Sequence, residues 1–406
     1  MKINVEFPED RMLKNKLRFQ TYYEYKYFDR PAVMFGTFGR FFLDQFGSDY
    51  YEYLKDAKTQ FEMQCQFQKW AIENIPDDRC QAPTITVNPD FENVHNSAAF
   101  GCEYSMDAKV PPRVIDFIKT PEQAEAWQPP DITEGFWKKL TDWWHVMNEM
   151  AEETELTFNG EPAQITVAPL SIQMIGPFMV AVEMVGTDFY TWLYDYPEVC
   201  HRFLDKITTA LIDTEEKFRK IDPRPRNIYG LAEDDGCNIS EATFKEFSLP
   251  YDVRMYDHFG AGLVDGRSLH NCGPSNHLLD TYIKDLKIST YSLYGYSCTP
   301  EIAAEKLAGK CYLWGNISPM LLHDGPKEAI KAYARHYFDV VAPYGGIVFG
   351  DGANCVPGTP LEHMAVCVEA AEEYAKDHPD MFTDDFEKYI TDGIINVGAS
   401  GKNFVI

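Results

Sequence analysis

From about residue 83 onward, short β-prone runs alternate with helical stretches, and this alternation limits the possible folds more than any other feature of the chain. The runs fall at about 84–87, 165–167, 227–231, 262–269, 286–293, 310–314 and 346–349. Helical patterns fill the intervals: 131–155, 180–194, 197–221, a segment opening at Ser240, then 300–307, 328–341 and 359–376. Strand and helix in repeated succession return each strand parallel to the last. The predicted fold class is therefore α/β, a (β/α)8 TIM barrel, with the loop-rich region 88–112 as the place for an eighth strand. A doubly wound open sheet is the alternative. No Gly-x-Gly-x-x-Gly follows any strand to favour it, and no Gly-x-x-x-x-Gly-Lys-Ser/Thr phosphate loop occurs. Residues 1–80 read as a mostly helical N-terminal extension packing on the barrel, with Pro31–Arg40 a short strand or loop within it. Residues 81–380 read as the catalytic barrel and 381–406 as a C-terminal tail.

In such a barrel, chemistry sits at the C-terminal ends of the strands. Asp234, Asp235, His270, Cys272, Tyr294, Asn316 and Cys355 all lie just past predicted strands and so converge on one mouth. His270 and Cys272 are two apart at a strand end. Both are good zinc ligands, but two are too few for a zinc site. Cys355 follows the last predicted strand and is the expected third ligand. Asp235 is expected to orient substrate or handle a proton, although Asp234 and Asp235 could equally cap the helix opening at Ser240. Arg40, Tyr294, Trp314 and Asn316 are the candidate substrate-binding residues. Glu183 falls in a predicted helix, on what reads as a solvated face. Cys237, Cys298 and Cys311 read as ordinary buried thiols.

Composition narrows the partners. The chain has 406 residues, 45% hydrophobic, with a net charge of −26 and a pI near 4.7. So acidic a surface repels nucleic acid and anionic membranes. No apolar run reaches the ~18–20 residues that span a bilayer, and the polar, acidic first ten residues do not read as a signal peptide. Ten cysteines in so long a chain are not a dense disulfide framework. The expectation is a cytoplasmic protein with reduced thiols and room for a homodimer.

Several segments, in this order and spacing, carry a resemblance: Gly176-Pro-Phe178, Leu231-Ala-Glu-Asp-Asp235, Phe247-Ser-Leu-Pro-Tyr251, His270-x-Cys272-Gly273, Gly315-Asn316 and Cys355-Val-Pro-Gly-Thr-Pro360. The chain resembles the uroporphyrinogen decarboxylase superfamily from about Pro31 to Tyr374. It is most similar to the zinc-dependent branch that includes methylcobamide:coenzyme M methyltransferases and O-demethylase methyltransferases. The true decarboxylase has Pro-x-Trp-Met-Arg-Gln-Ala-Gly-Arg near its start and needs no metal. Pro31, Met34, Gly39 and Arg40 fit that frame, but Gly36 replaces its first arginine. The resemblance implies Zn2+ on His270, Cys272 and Cys355. It also implies a corrinoid (cobalamin) carried by a partner corrinoid protein, because the chain has no Asp-x-His-x-x-Gly motif of its own. The implied activity is methyl transfer to or from a small molecule, with O-demethylation of a methoxylated aromatic slightly favoured over a thiol acceptor. Relatives on this plan can add a carboxylate from the next strand end, yet Thr290–Tyr296 holds no acid. The fourth position is then open, or filled by Glu183, Asp235 or a tyrosine. The alternatives are a metal-free decarboxylase of a polycarboxylic substrate and a non-catalytic metal-binding barrel.

Overall fold

The computed structural model describes residues 1–383. Six parallel strands form the main sheet. In spatial order they are β1 (Ala32–Val33), β8 (Ile347–Phe349), β7 (Tyr312–Trp314), β6 (Thr290–Ser292), β5 (Asp265–His270) and β4 (Ile228–Ala232). β2 (Thr84–Val87) and β3 (Glu161–Val167) pair with each other in parallel. Past β3 the chain continues to Ile175, which bridges to Ala232 at the end of β4. The order around the molecule is thus that of a βα barrel. Among the described residues, however, the ladder does not run from β1 to β2. A carboxylate braces β1 instead: Asp78 is fully buried, accepts the Val33 N–H at 2.8 Å and is held by Arg18 and Arg30.

The sheet's residues suit its surroundings. Every residue of β8 is buried, as expected of a parallel strand covered on both faces. The covering helices include Pro197–Ile221, which starts with proline in its first turn, carries Arg219 and Lys220 in its last turn, and buries Phe203, Leu204, Ile207, Leu211 and Phe218. β3 also carries an edge. Glu155–Phe158 folds back on it through Asn159-Gly160, both with positive φ, as a two-residue hairpin turn requires. Lys2–Val5 then pairs outside Glu155–Phe158.

Two expectations change. The missing strand is β1, inside the segment read as an extension; residues 88–112 hold a short helix, His95–Ala99, and contribute Glu103–Ser105 to a two-stranded hairpin. Consequently residue 80 does not separate a helical extension from the sheet, because Ala32 and Val33 pair with Val348 and Phe349. Most of the predicted tail lies outside the described residues.

Candidate metal centre

The register of β4 against β5 builds the site. Ala232 pairs with His270, so Asp234, two residues on, lies level with Cys272. The chain turns over itself there to fasten the two ends together. The Glu233 N–H donates to the His270 carbonyl at 2.9 Å, and the Asn271 amide donates to the Glu233 carbonyl at 2.5 Å. Asp234 Oδ1 accepts the Cys272 N–H at 2.8 Å, and Asp234 Oδ2 lies 3.6 Å from His270 Nε2. One nitrogen, one sulfur and one oxygen from Asp234, His270 and Cys272 all fall within 4.8 Å of one another.

The histidine is pre-oriented. His270 Nδ1 lies 3.0 Å from the Ser292 carbonyl on the neighbouring β6. A carbonyl only accepts, so Nδ1 carries the proton and Nε2 presents its lone pair to the group. Burial and the Asp234 carboxylate push the Cys272 thiol up to about 12. A bound cation reverses that balance and takes the sulfur as thiolate.

Behind Asp234, the Glu233 side chain is fully buried near Asp252; burial and that neighbouring carboxyl push its own carboxyl well up. It occupies the space a side chain at Gly176 would need. A Cβ there would sit 1.5 Å from Glu233 Oε1. The Gly-Pro-Phe motif is thus explained: glycine admits the glutamate, and proline starts the helix Pro177–Val185.

The other predicted residues are placed as follows. Cys355 is outside the three-residue group. Its backbone N–H donates to the Gly36 carbonyl at 2.9 Å, and its buried thiol lies 3.6 Å from Asp351 Oδ1. Burial raises that Asp351 carboxyl to about 7. Asp235 turns away from His270 towards the helix Asp188–Asp195, accepting the Tyr190 hydroxyl at 2.8 Å, and burial raises its pKa. The acid that joins the histidine and cysteine is therefore Asp234, which its sequence position alone did not separate from a helix cap. Glu183, read as solvated, is instead tucked against the Ser97 hydroxyl, and burial raises it to about 8. Arg40 faces Glu92, whose carboxyl burial and Asp90 raise to about 7 against the pull of that guanidinium. Tyr294, Trp314 and Asn316 have their polar atoms engaged within the protein. The Tyr294 hydroxyl meets that of Tyr337 at 2.8 Å, Trp314 Nε1 donates to the Met34 carbonyl at 2.7 Å, and the Asn316 amide donates to the Gly295 carbonyl at 2.9 Å. Cys298 and Cys311 are buried as expected, but Cys237 is not.

Against known proteins, the family model described as uroporphyrinogen decarboxylase (URO-D) matches residues 90–374. The chain belongs to the uroporphyrinogen decarboxylase family. The fold of that family is a TIM barrel, which the order of β1 to β8 fits. Among relatives of this URO-D-family chain, a uroporphyrinogen decarboxylase of Danio rerio is 28% identical over 191 residues, covering 46% of this chain and 50% of the relative. One from Xanthomonas axonopodis pv. citri is 28% identical over 245 residues, covering 55% and 67%. The chain thus spans half to two thirds of these relatives. Among solved structures, a methyltransferase from Methanosarcina mazei superposes with a TM-score of 0.64 at 20% identity, over 89% of this chain and 99% of that one. That likeness is one of fold. No helix among the described residues is long and apolar enough to cross a membrane.

Proposed function

We propose that this URO-D-family enzyme is a zinc-dependent methyltransferase, moving a methyl group between a small molecule and the cobalt of a separate corrinoid protein. The observation that carries the proposal is the convergence of Asp234, His270 and Cys272 within 4.8 Å. Imidazole nitrogen, thiolate sulfur and carboxylate oxygen form a donor set suited to zinc, and three protein ligands leave a position for substrate. Cys355, in the loop past β8, is proposed as the alternative to Asp234 as third ligand, which keeps the fourth position open; its thiol would have to leave Asp351 to serve. Zinc held there would supply Lewis acidity, activating an acceptor thiol as thiolate or polarising the ether oxygen of a methoxylated substrate.

The chain's own groups set the rest. Ser292 fixes the His270 tautomer, and Asn271 fixes the spacing between the two strand ends. Asp235 and Tyr190 offer a carboxyl and a hydroxyl beside the group for positioning a substrate or passing a proton. Glu183 brings a second carboxyl close to Asp235.

The competing reading is decarboxylation of a polycarboxylic substrate, which the names of the sequence relatives favour. The charges oppose it. Asp234 lies beside a neutral His270, and among the described residues no lysine or arginine pairs with Asp234 or Asp235. Carboxylates converging on substrate carboxylates repel at short range. Gly36 stands where the decarboxylase pattern has an arginine, and the nearby Arg79 is already bound to Asp77 and Thr37.

The test is methyl transfer between a methoxylated aromatic or a thiol and a corrinoid protein, run beside an assay for released carbon dioxide. The expected result is zinc in protein purified without chelator, methyl transfer only when the corrinoid protein is added, and loss of both zinc and transfer in Cys272→Ser. Carbon dioxide release unaltered by Cys272→Ser would establish the decarboxylase instead.

A further inference from the structure

Eight of the ten cysteines are buried; the two that are not, Cys237 and Cys272, lie on neighbouring strand ends. Cys272 follows β5, and Cys237 lies in the turn Asp234–Asn238 that follows β4. The turn is fastened to the Cys272 segment at two points. The first is the bond from the Cys272 N–H to Asp234 Oδ1 at 2.8 Å. The second is Cys237 itself, whose sulfur packs on Gly273: a Cβ built there would lie 2.4 Å from Cys237 Sγ. Glycine at 273 is what lets that sulfur in. Cys237 has only a weak partner of its own, the Asn238 side-chain amide oxygen at 3.8 Å. Two partly exposed thiols are therefore carried on two touching backbone segments, while the remaining eight are shielded.

We propose that Cys237 and Cys272 are a disulfide-forming pair, a modification site at which a peroxide closes a disulfide across the mouth. The small fraction of Cys272 present as thiolate attacks one peroxide oxygen, and the O–O bond breaks. The departing oxygen takes a proton and leaves as water or alcohol, and Cys272 is oxidised to the sulfenic acid. Cys237 then attacks the Cys272 sulfur after a side-chain rotation; the S–S bond forms, the S–O bond breaks and water leaves. With hydrogen peroxide, two thiols and one peroxide give one disulfide and two waters. The disulfide removes Cys272 from the Asp234–His270 group and spares it from irreversible over-oxidation, and a thiol reductant restores it. The proposal is independent of which reaction the site catalyses.

The test uses the full chain, freed of metal by chelator and treated with hydrogen peroxide. Free thiols are then alkylated, and the unreduced protein is digested for mass spectrometry. The expected main product joins the Cys237 and Cys272 peptides, ahead of any other cross-link because the other eight thiols are buried, and dithiothreitol reverses it. In Cys237→Ser and Cys237→Ala the same treatment takes Cys272 to a sulfinic acid that dithiothreitol does not reverse. Two variants are used so that poor folding of one leaves the other to decide, and the wild-type product is decisive by itself. The proposal is overturned if wild-type Cys272 reaches the sulfinic acid as readily as in the variants, if it pairs with another cysteine, or if both thiols survive excess peroxide.

Discussion

Gly176→Ala is the sharpest test of how the site is built. The new methyl would lie 1.5 Å from Glu233 Oε1, 2.4 Å from its Cδ and 2.7 Å from its Cγ, so three atoms of a fully buried side chain must move. Overpacking of this kind costs about 1–3 kcal/mol. At about 2 cal/mol/K per residue, a 406-residue chain unfolding as one unit has an entropy near 0.8 kcal/mol/K, so Tm should fall by about 1–4 °C. The strain also reaches the metal group, because the Glu233 backbone is bonded to His270 on one side and Asn271 on the other. Zinc affinity should drop about tenfold or more, as for outer-shell changes elsewhere. The assays are thermal unfolding by circular dichroism and zinc competition with a chromogenic chelator. Glu233→Ala in the same chain removes the colliding group. The double variant should therefore be more stable than the two single losses predict, by more than about 1 kcal/mol of coupling. Simple additivity, or a Gly176→Ala protein within 1 °C of wild type, would refute the reasoning.

Three further outcomes are expected. Asp234→Asn should weaken zinc binding by about tenfold or more, whereas Asp235→Asn, whose carboxylate is turned to Tyr190, should change it less than about threefold; chelator competition separates the two. Asp78→Asn should cost about 3–5 kcal/mol, read as a lowered Tm, because it leaves Arg30 buried beside a neutral group, whereas Arg18 keeps Asp29. Glu183 gives a pH signature. Its folded carboxyl keeps its proton to about 8, whereas the unfolded one loses it near 4.5. The unfolded chain therefore sheds the proton first, and stability falls as pH rises through that window. Glu183→Gln should flatten this slope in Tm measured from pH 5 to 9, leaving the variant relatively more stable at pH 8.

The alternation of strands and helices was readable because buried parallel strands leave unbroken apolar runs, as Ile347-Val-Phe349 does. β1 was not readable as part of the sheet. It is two residues long, follows a proline, and is secured by the Asp78 carboxylate rather than by a long ladder. His270 and Cys272 were legible from their spacing at a strand end. Asp234 was not, because its role depends on the β4–β5 register, which pairs Ala232 with His270 and which no local pattern reveals. Glu183 misled for a related reason: a glutamate on a helix looks solvated until the fold sets Ser97 against it. Tyr294, Trp314 and Asn316 occupy strand ends as expected, but sequence position says nothing of whether a polar atom meets a ligand or a neighbouring carbonyl.

The position of β1 also has a consequence for the order in which the molecule can be assembled. Ala32 and Val33 face Val348 and Phe349, and the Gly36 N–H donates to Asp351, 315 positions away. A ribosome releases the first partner of each contact long before the second exists. Until the last strand emerges, the nascent N-terminal segment has nothing to pair with in the main sheet, and contacts this far apart in sequence are slow to form. A chain stalled or clipped before β8 would leave both β1 and the β7 edge unpaired, and open edges of this kind invite aggregation. The last-made strand thus acts as the latch for the whole sheet.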